Sequence, residues 1–347
     1  MMTSRRNPSP RLTKVAPATT EAFFARRCMH SSSRNPGVDA YAPCLAMPMG
    51  KSAPAKESAM DKHVLLTVSD DTSGLCSLRF TCGYFQHTQA FHITLLYVAP
   101  NPRAGLSQAD IVEDYHVLSR REASIRQQAE AALARAADFL VGKGFPAANI
   151  HKKISYKQFG TATDIIQEGM AGIYDAIGLG RRGISRLEEL LSESVSKQVF
   201  ITPMDIPLWV SRSTEKPQPH ALLCTDGSPA SLRCADHMAY MLRDEPQHHI
   251  SVAYIDRGAS PDHVRHVFTQ ARDMLTQGGI STERIHNIVL DGDDPAEAIL
   301  RHTQEVPYGV VGIGRTGKGE THSLHLLGSV SMRLFRKLDW ATLWICH

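Results

Sequence analysis

The sequence predicts an α/β protein of two tandem domains, each a doubly wound, five-stranded parallel sheet with helices on both faces. Two observations lead to this prediction. From His63 onward, short apolar runs alternate with segments of helical period, which is the pattern of a parallel sheet covered by helices. The strand-helix alternation yields five strands twice, and similar motifs recur at a nearly constant spacing, as expected of a duplicated domain.

Ten short apolar runs are the predicted strands. Those of the first copy are 63–68, 91–98, 149–156, 174–179 and 205–210. Those of the second copy are 219–225, 248–255, 284–290, 308–313 and 341–346. Between the runs, apolar residues recur at three and four positions, most clearly over 109–140, where the pattern predicts a long helix.

Internal matches support the duplication and place the domain boundaries. Residues 180–183 (GRRG) correspond to 314–317 (GRTG), and SVS at 194–196 corresponds to SVS at 329–331. The predicted domains are 61–212 and 219–347.

Residues 1–60 are expected to be a disordered basic segment. They are rich in Ser, Pro, Ala and Arg, contain almost no acidic residues and show no sustained apolar period. The alternatives are a targeting segment, or an over-extended start with the true initiator at Met47, Met49 or Met60.

Composition and charge give no indication of a nucleic-acid-binding or membrane protein. The 347 residues carry a formal net charge of only +3, so we expect neither a nucleic-acid surface nor a membrane surface. No apolar run approaches the roughly 18 residues that cross a bilayer. The seven cysteines are scattered, odd in number and never spaced C-x-x-C, which predicts reduced thiols in a cytoplasmic protein.

The second copy opens with a candidate ligand-binding residue. Its first strand, 221–225, runs into Asp226, and ligands of open α/β sheets bind at the carboxyl ends of the strands. The alternative is that Asp226 or Ser228 only caps the next helix, which has Pro229 in its first turn.

A glycine-rich loop, 314–319, follows the fourth strand of the second copy, and about ten residues later a helix begins at 328–331. Glycines let backbone amides approach an anion closely, and a helix N-terminus adds a favourable dipole. The pattern predicts a phosphate site in two parts, and its alternative is a merely flexible loop. The hydroxyl and cationic donors of this site would be Ser329, Ser331, Arg315 and Lys318.

Several better-known sites are not predicted. Residues 312–317 copy the dinucleotide fingerprint, but they follow a fourth strand and no helix opens on them. The same run matches the start of a P-loop, yet Gly319 stands where a Ser or Thr must ligate Mg²⁺. His322 and His325 have no acid or thiol positioned to complete a metal shell. No catalytic motif is present, so the sequence does not predict an enzyme.

Together, these motifs resemble the universal stress protein family. The resemblance covers about residues 62–347 and rests on the motifs at 225–228, 292–299, 314–317 and 328–331. It implies an adenine nucleotide alpha hydrolase-like fold in each domain, with ATP across the carboxyl ends of the strands. One departure is that ten residues separate Gly317 from Gly328, where the family has nine.

The resemblance also implies contacts to the nucleotide. Asp226 would meet the adenosine, and Ile255, at the end of the second strand, would pack on the adenine. The ribose and phosphates would be held by Gly314, Gly317, Gly328, Ser329, Val330 and Ser331.

The first copy departs further from the family pattern. Ser69 falls at the position of Asp226, and Glu193 replaces Gly328. A carboxylate at a helix start that faces phosphate would repel the anion. We therefore predict one functional nucleotide site per chain.

The predicted function is that of a cytoplasmic stress-response regulator that binds ATP or a related adenine nucleotide, which Mg²⁺ can accompany. The alternative is a nucleotide-free scaffold of the same fold that acts through unidentified protein partners. The two domains are expected to pair as chains of the family pair, through last strands that carry Trp209 and Trp344 at corresponding positions. Further homodimerisation is left open.

Overall fold

A computed structural model describes residues 61–70, 75–106, 115–192, 205–213, 215–317 and 327–347. All of them belong to the same compact unit of the chain. The predictions for segment 1–60 lie outside the described residues, and so do those for Glu193, Lys318, Gly319, His322 and His325.

Ten strands alternate with helices, as the sequence predicts. The strands are β1 Lys62–Val68, β2 Phe91–Ala99, β3 Ile150–Tyr156, β4 Ala176–Leu179, β5 Leu208–Val210, β6 Ala221–Cys224, β7 Ile250–Asp256, β8 Ile285–Asp291, β9 Val310–Gly314 and β10 Thr342–Cys346. The helices are α1 Cys76–Tyr84, α2 Tyr115–Val141, α3 Thr161–Ala171, α4 Arg181–Ser192, α5 Pro229–Leu242, α6 Pro261–Gln277, α7 Pro295–Glu305 and α8 Ser329–Lys337. Strand β5 starts later than predicted, after Pro207, whose missing N–H prevents it from joining the hydrogen-bond ladder as a donor.

The strands form one continuous sheet, in which the two five-stranded halves pair through their last strands, as expected from the sequence. Its order is β3-β2-β1-β4-β5-β10-β9-β6-β7-β8. Within each half all neighbours are parallel, and only β5 and β10 pair antiparallel. The two sheets merge because each half would otherwise expose a strand edge with unpaired backbone groups. The division into domains 61–212 and 219–347 stays a prediction.

Helices cover both faces of the sheet, which confirms the doubly wound fold. One face packs against α1, α2, α5 and α6 through residues such as Leu78, Leu133, Met238 and Val267. The other packs against α3, α4, α7 and α8 through Ile165, Ile184, Ile299 and Leu334. In the described part of the chain, no helix is long and apolar enough to span a membrane.

A pair of tryptophans lies at the centre of the sheet. In the antiparallel register Trp209 of β5 faces Trp344 of β10, as expected from their matching positions. Their rings stack with centroids 4.8 Å apart and an interplanar angle of 9°, and both side chains are fully buried. The indole nitrogen of Trp209 donates to Nε2 of His237 at 3.0 Å. We name the β5–β10 pairing with these two rings the seam.

A second connection joins the end of α5 to the first half. Glu245 is fully buried, and its carboxylate accepts the backbone N–H groups of Gln86 and His87 at 3.0 Å. Lys62, also buried, lies 3.3 Å from the carboxylate of Asp244. These buried charges are therefore satisfied by groups from the opposite half of the chain.

Replacing a seam tryptophan tests how much this contact stabilises the chain. Trp344→Ala should lower the free energy of unfolding by about 3–5 kcal/mol, because it leaves a cavity in the buried core. Trp340→Ala is the control, since that side chain is 38% exposed, and it should cost less than about 1 kcal/mol. Guanidinium unfolding of the full chain measures both; equal losses would contradict the role given to the seam.

The second connection is tested by Glu245→Ala. Loss of the carboxylate leaves the N–H groups of Gln86 and His87 without an acceptor, which should cost about 3 kcal/mol of unfolding free energy. Glu305→Ala removes an exposed carboxylate from the end of α7 and should leave the unfolding midpoint unchanged. A Glu245→Ala variant as stable as the Glu305→Ala control would show that the buried tie contributes nothing.

Candidate functional site

A cavity of about 390 Å³ lies at the carboxyl ends of β6, β7 and β9. This is the edge of the sheet at which open α/β folds bind ligands. The cavity brings together all eight residues predicted to contact a nucleotide. They are Asp226, Ile255, Gly314, Gly317, Gly328, Ser329, Val330 and Ser331.

Asp226 lies directly after β6 and does not cap the next helix. Its Oδ1 accepts the backbone N–H of Ser228 at 2.9 Å, across a turn in which Gly227 has a φ of +74°. The cap of α5 is Ser228, whose hydroxyl oxygen accepts the N–H of Ser231 at 3.3 Å. Asp226 is half-buried and lines the cavity.

The glycine-rich loop approaches Asp226 closely. A Cβ atom added at Gly317 would lie 3.0 Å from Oδ2 of Asp226. At Gly314 an added Cβ would lie 2.6 Å from the backbone nitrogen of Ser231 and 2.8 Å from the carbonyl carbon of Ala230. Gly314 is therefore required by the packing of β9 against the first turn of α5, and a ligand is not needed to explain it.

Helix α8 presents its N-terminus to the cavity. Gly328 is its N-cap residue and supplies no side-chain hydrogen bond. The amides of the first helical turn have no intrahelical acceptor, so those of Ser329 and Val330 can serve an anion. The hydroxyl of Ser329 is on an exposed residue at the cavity wall.

The hydroxyl of Ser331 is hydrogen-bonded within the protein. It donates to the carbonyl oxygen of Arg315 at 2.7 Å, with the carbonyl oxygen of Gly328 at 3.0 Å. Because a hydroxyl has one proton, it cannot also donate to a phosphate in this arrangement. Ser331 thereby links the glycine-rich loop to the start of α8. The N–H of Gly328 makes a second link, because it donates to the carbonyl oxygen of Arg315 at 2.9 Å.

Two arginines and a histidine add positive or ionisable groups to the cavity wall. Arg315 is half-buried, and its Nε is shielded from solvent without a hydrogen-bond partner among the described residues. Burial lowers the pKa of Arg315, and nearby Asp205 opposes that shift. Arg257 and His263 lie on the β7–α6 side of the cavity.

Sequence reasoning missed several wall residues. Arg257 and His263 were not predicted, although Arg257 comes two positions after Ile255, just past the carboxyl end of β7, where a ligand-facing side chain is expected. Tyr254 was also missed. Burial raises the pKa of its phenol, and the carboxylates of Asp256 and Asp226 add to the shift.

The first half has a smaller cavity of about 210 Å³ at the corresponding strand ends. Ser69 lies in it where Asp226 lies in the second half. The neighbouring Asp70 accepts the hydroxyl of Tyr97 at 2.8 Å, so this carboxylate is engaged by the protein itself. Gly180 and Gly183 line this cavity, but Gly183 lies within α4, whereas its sequence counterpart Gly317 lies in a loop.

Neighbouring serines of α8 test these assignments. Ser331→Ala should lower the free energy of unfolding by about 1–2 kcal/mol, because the buried carbonyl of Arg315 loses its hydroxyl donor. Ser329→Ala is the matched control and should leave the unfolding midpoint unchanged, since that residue is exposed. Urea unfolding distinguishes them; a stable Ser331→Ala variant would contradict the fastening role.

Comparisons with known proteins agree with this architecture. The family model described as the universal stress protein family matches residues 219–345. A universal stress protein from Archaeoglobus fulgidus DSM 4304 superposes with a TM-score of 0.59 at 18% identity, over 82% of this chain and 97% of that one. A search of the curated proteins found no match.

Other solved structures match over little more than a third of the chain. A universal stress protein in complex with cAMP matches at 22% identity and a TM-score of 0.31, covering 37% of this chain and 95% of its own. A protein of the universal stress protein family from Burkholderia pseudomallei matches at 18% identity and a TM-score of 0.27, covering 36% and 93%. The family model thus matches the half of the chain that contains the 390 Å³ cavity.

Proposed function

We propose that the second half of the chain binds ATP or a related adenine nucleotide in the 390 Å³ cavity and that the protein acts as a stress-response regulator, not as an enzyme. The observation that carries this proposal is the convergence of all eight motif residues on one cavity at the ligand-binding edge of the sheet. The eight residues lie as far apart in the sequence as positions 226 and 331, and the fold brings them to one cavity.

The phosphates are assigned to the α8 side of the cavity. The first-turn amides of Ser329 and Val330 and the dipole of α8 favour negative charge. Arg315 is a half-buried cation on the same side, and an anion there would offset part of the cost of its burial. Gly317 has no side chain to keep the backbone away from the ligand.

The adenosine is assigned to the β6–β7 side. Ile255, at the end of β7, is half-buried and offers an apolar surface to a flat base. Asp226 can accept hydrogen bonds from an amino or hydroxyl group, since an ionised carboxylate has several lone pairs. Mg²⁺ could reach the phosphates as their counter-ion without a protein ligand.

The setting proposed is the cytoplasm. The described cysteines, Cys76, Cys82, Cys224, Cys234 and Cys346, are all free thiols, which fits a reducing compartment. As a regulator, the protein would act on protein partners and could also form homodimers.

A nucleotide-free scaffold is the second candidate function, and two observations favour it. Packing of Gly314 against α5 accounts for that glycine without a ligand. The hydroxyl of Ser331 is committed to the carbonyl of Arg315. In this case the cavity no longer binds a nucleotide, and the protein regulates its partners through protein contacts alone.

Calorimetric titration of the full chain with ATP, AMP and cyclic AMP tests the proposal. One saturable site per chain is expected. The substitution Gly328→Glu copies Glu193, which occupies the corresponding position in the first half. It should weaken nucleotide binding at least about tenfold, because a carboxylate at the start of α8 repels phosphate. Gln304→Glu adds the same charge at an exposed position outside the cavity and should bind like the unaltered chain.

The outcomes separate the two functions. Absence of heat with all three nucleotides would support the scaffold. Two equivalent sites would contradict the prediction that only the second half binds. Thermal unfolding of the Gly328→Glu variant confirms that a loss of binding is not a loss of folding.

A further inference from the structure

Three histidines lie side by side at the edge of the sheet opposite the cavity. His220 precedes β6, His249 precedes β7, and His286 is the second residue of β8. Strand β7 lies between β6 and β8 in the sheet. We name these three residues the histidine row.

The strand register places the row on one face of the sheet. Ala221 pairs with Ile250, so the preceding residues His220 and His249 are also neighbours, and the N–H of Ala221 donates to the carbonyl of His249 at 2.9 Å. Ser251 pairs with His286. Because alternate residues of a strand share a face, His249 and His286 point to the same side.

The rings are separated by distances suited to a shared metal ion. The centroids of His220 and His249 are 5.7 Å apart, and those of His249 and His286 are 5.6 Å apart. Imidazole nitrogens bind Zn²⁺ at about 2.0–2.1 Å, so two rings on one ion have centroids roughly 5–6 Å apart. Both centroid distances, from His220 to His249 and from His249 to His286, therefore fit two rings that share one ion.

The central histidine has an unsatisfied atom. Nδ1 of His249 is buried and has no hydrogen-bond partner among the described residues. A buried polar atom without a partner is costly, and a metal ion would supply one. His220 and His286 are exposed, so their rings are free to turn toward an ion beside His249.

As the rings are oriented, no three His, Cys, Asp or Glu side chains in the described part of the chain form a finished metal site. Binding therefore requires rotation of the exposed rings.

We propose that the histidine row binds one divalent transition-metal ion of the nickel, copper and zinc series, with His249 as the central ligand. Imidazole ligands suit this series, whereas Mg²⁺ and Ca²⁺ prefer oxygen. The site is independent of the proposed nucleotide cavity, which lies at the other ends of the same strands. Sequence spacing could not indicate it, because the three ligands come from three different strands.

Calorimetric titration of the full chain with Zn²⁺ tests the site. The His249→Ala variant should bind zinc at least about tenfold more weakly than the unaltered chain, and His286→Ala should also weaken it. The matched control is His266→Ala, which removes an exposed histidine from α6 and should change nothing. Comparison among these variants cancels any zinc bound elsewhere on the chain.

A second measurement covers the case in which a variant is unstable. Electron paramagnetic resonance of Cu²⁺ added to the full chain should show nitrogen ligands that are lost in His249→Ala and kept in His266→Ala. Zinc affinity and copper spectra of His249→Ala equal to those of the unaltered chain would overturn the proposal. Equal losses in all three variants would also overturn it, because they would indicate nonspecific binding.

Discussion

The antiparallel pairing of β5 with β10 is the interaction on which the rest of the structure depends. Each half of the chain ends in a short strand that is stable only if its open edge is covered. The two strands cover each other, and Trp209 stacks on Trp344 across the joint. The two fully buried indole rings contribute a large apolar surface to this contact. Glu245 adds a polar tie from the end of α5.

The seam also positions the candidate site. Strand β10 carries Trp344, and two residues later the carbonyl of Cys346 accepts the N–H of Arg315 at 2.6 Å. The carbonyl of Arg315 then accepts from Gly328 and Ser331 at the start of α8. A continuous set of hydrogen bonds thus links the joint between the halves to the phosphate side of the cavity.

Much of this architecture follows from the sequence, because local patterns determine it. Apolar runs separated by helical periods place the strands, and a glycine-rich loop after β9 with a serine-rich helix start identifies the cavity. What depends on three-dimensional packing could not be predicted. The hydroxyl of Ser331 turns inward because the carbonyl of Arg315 lies beside it, and Arg257 and His263 enter the cavity from a different part of the chain. The joining of the halves could be predicted, because Trp209 and Trp344 stand at corresponding positions in the last strands of the two copies.

A crystal structure of the full chain grown with ATP tests whether the second half holds the nucleotide. We expect one nucleotide per chain in the second half, with its phosphates at the amides of Ser329 and Val330 and its adenine on Ile255. Arg315 should contact a phosphate oxygen. A nucleotide bound instead in the smaller cavity beside Ser69, or ATP absent from both cavities at saturating concentration, would contradict it.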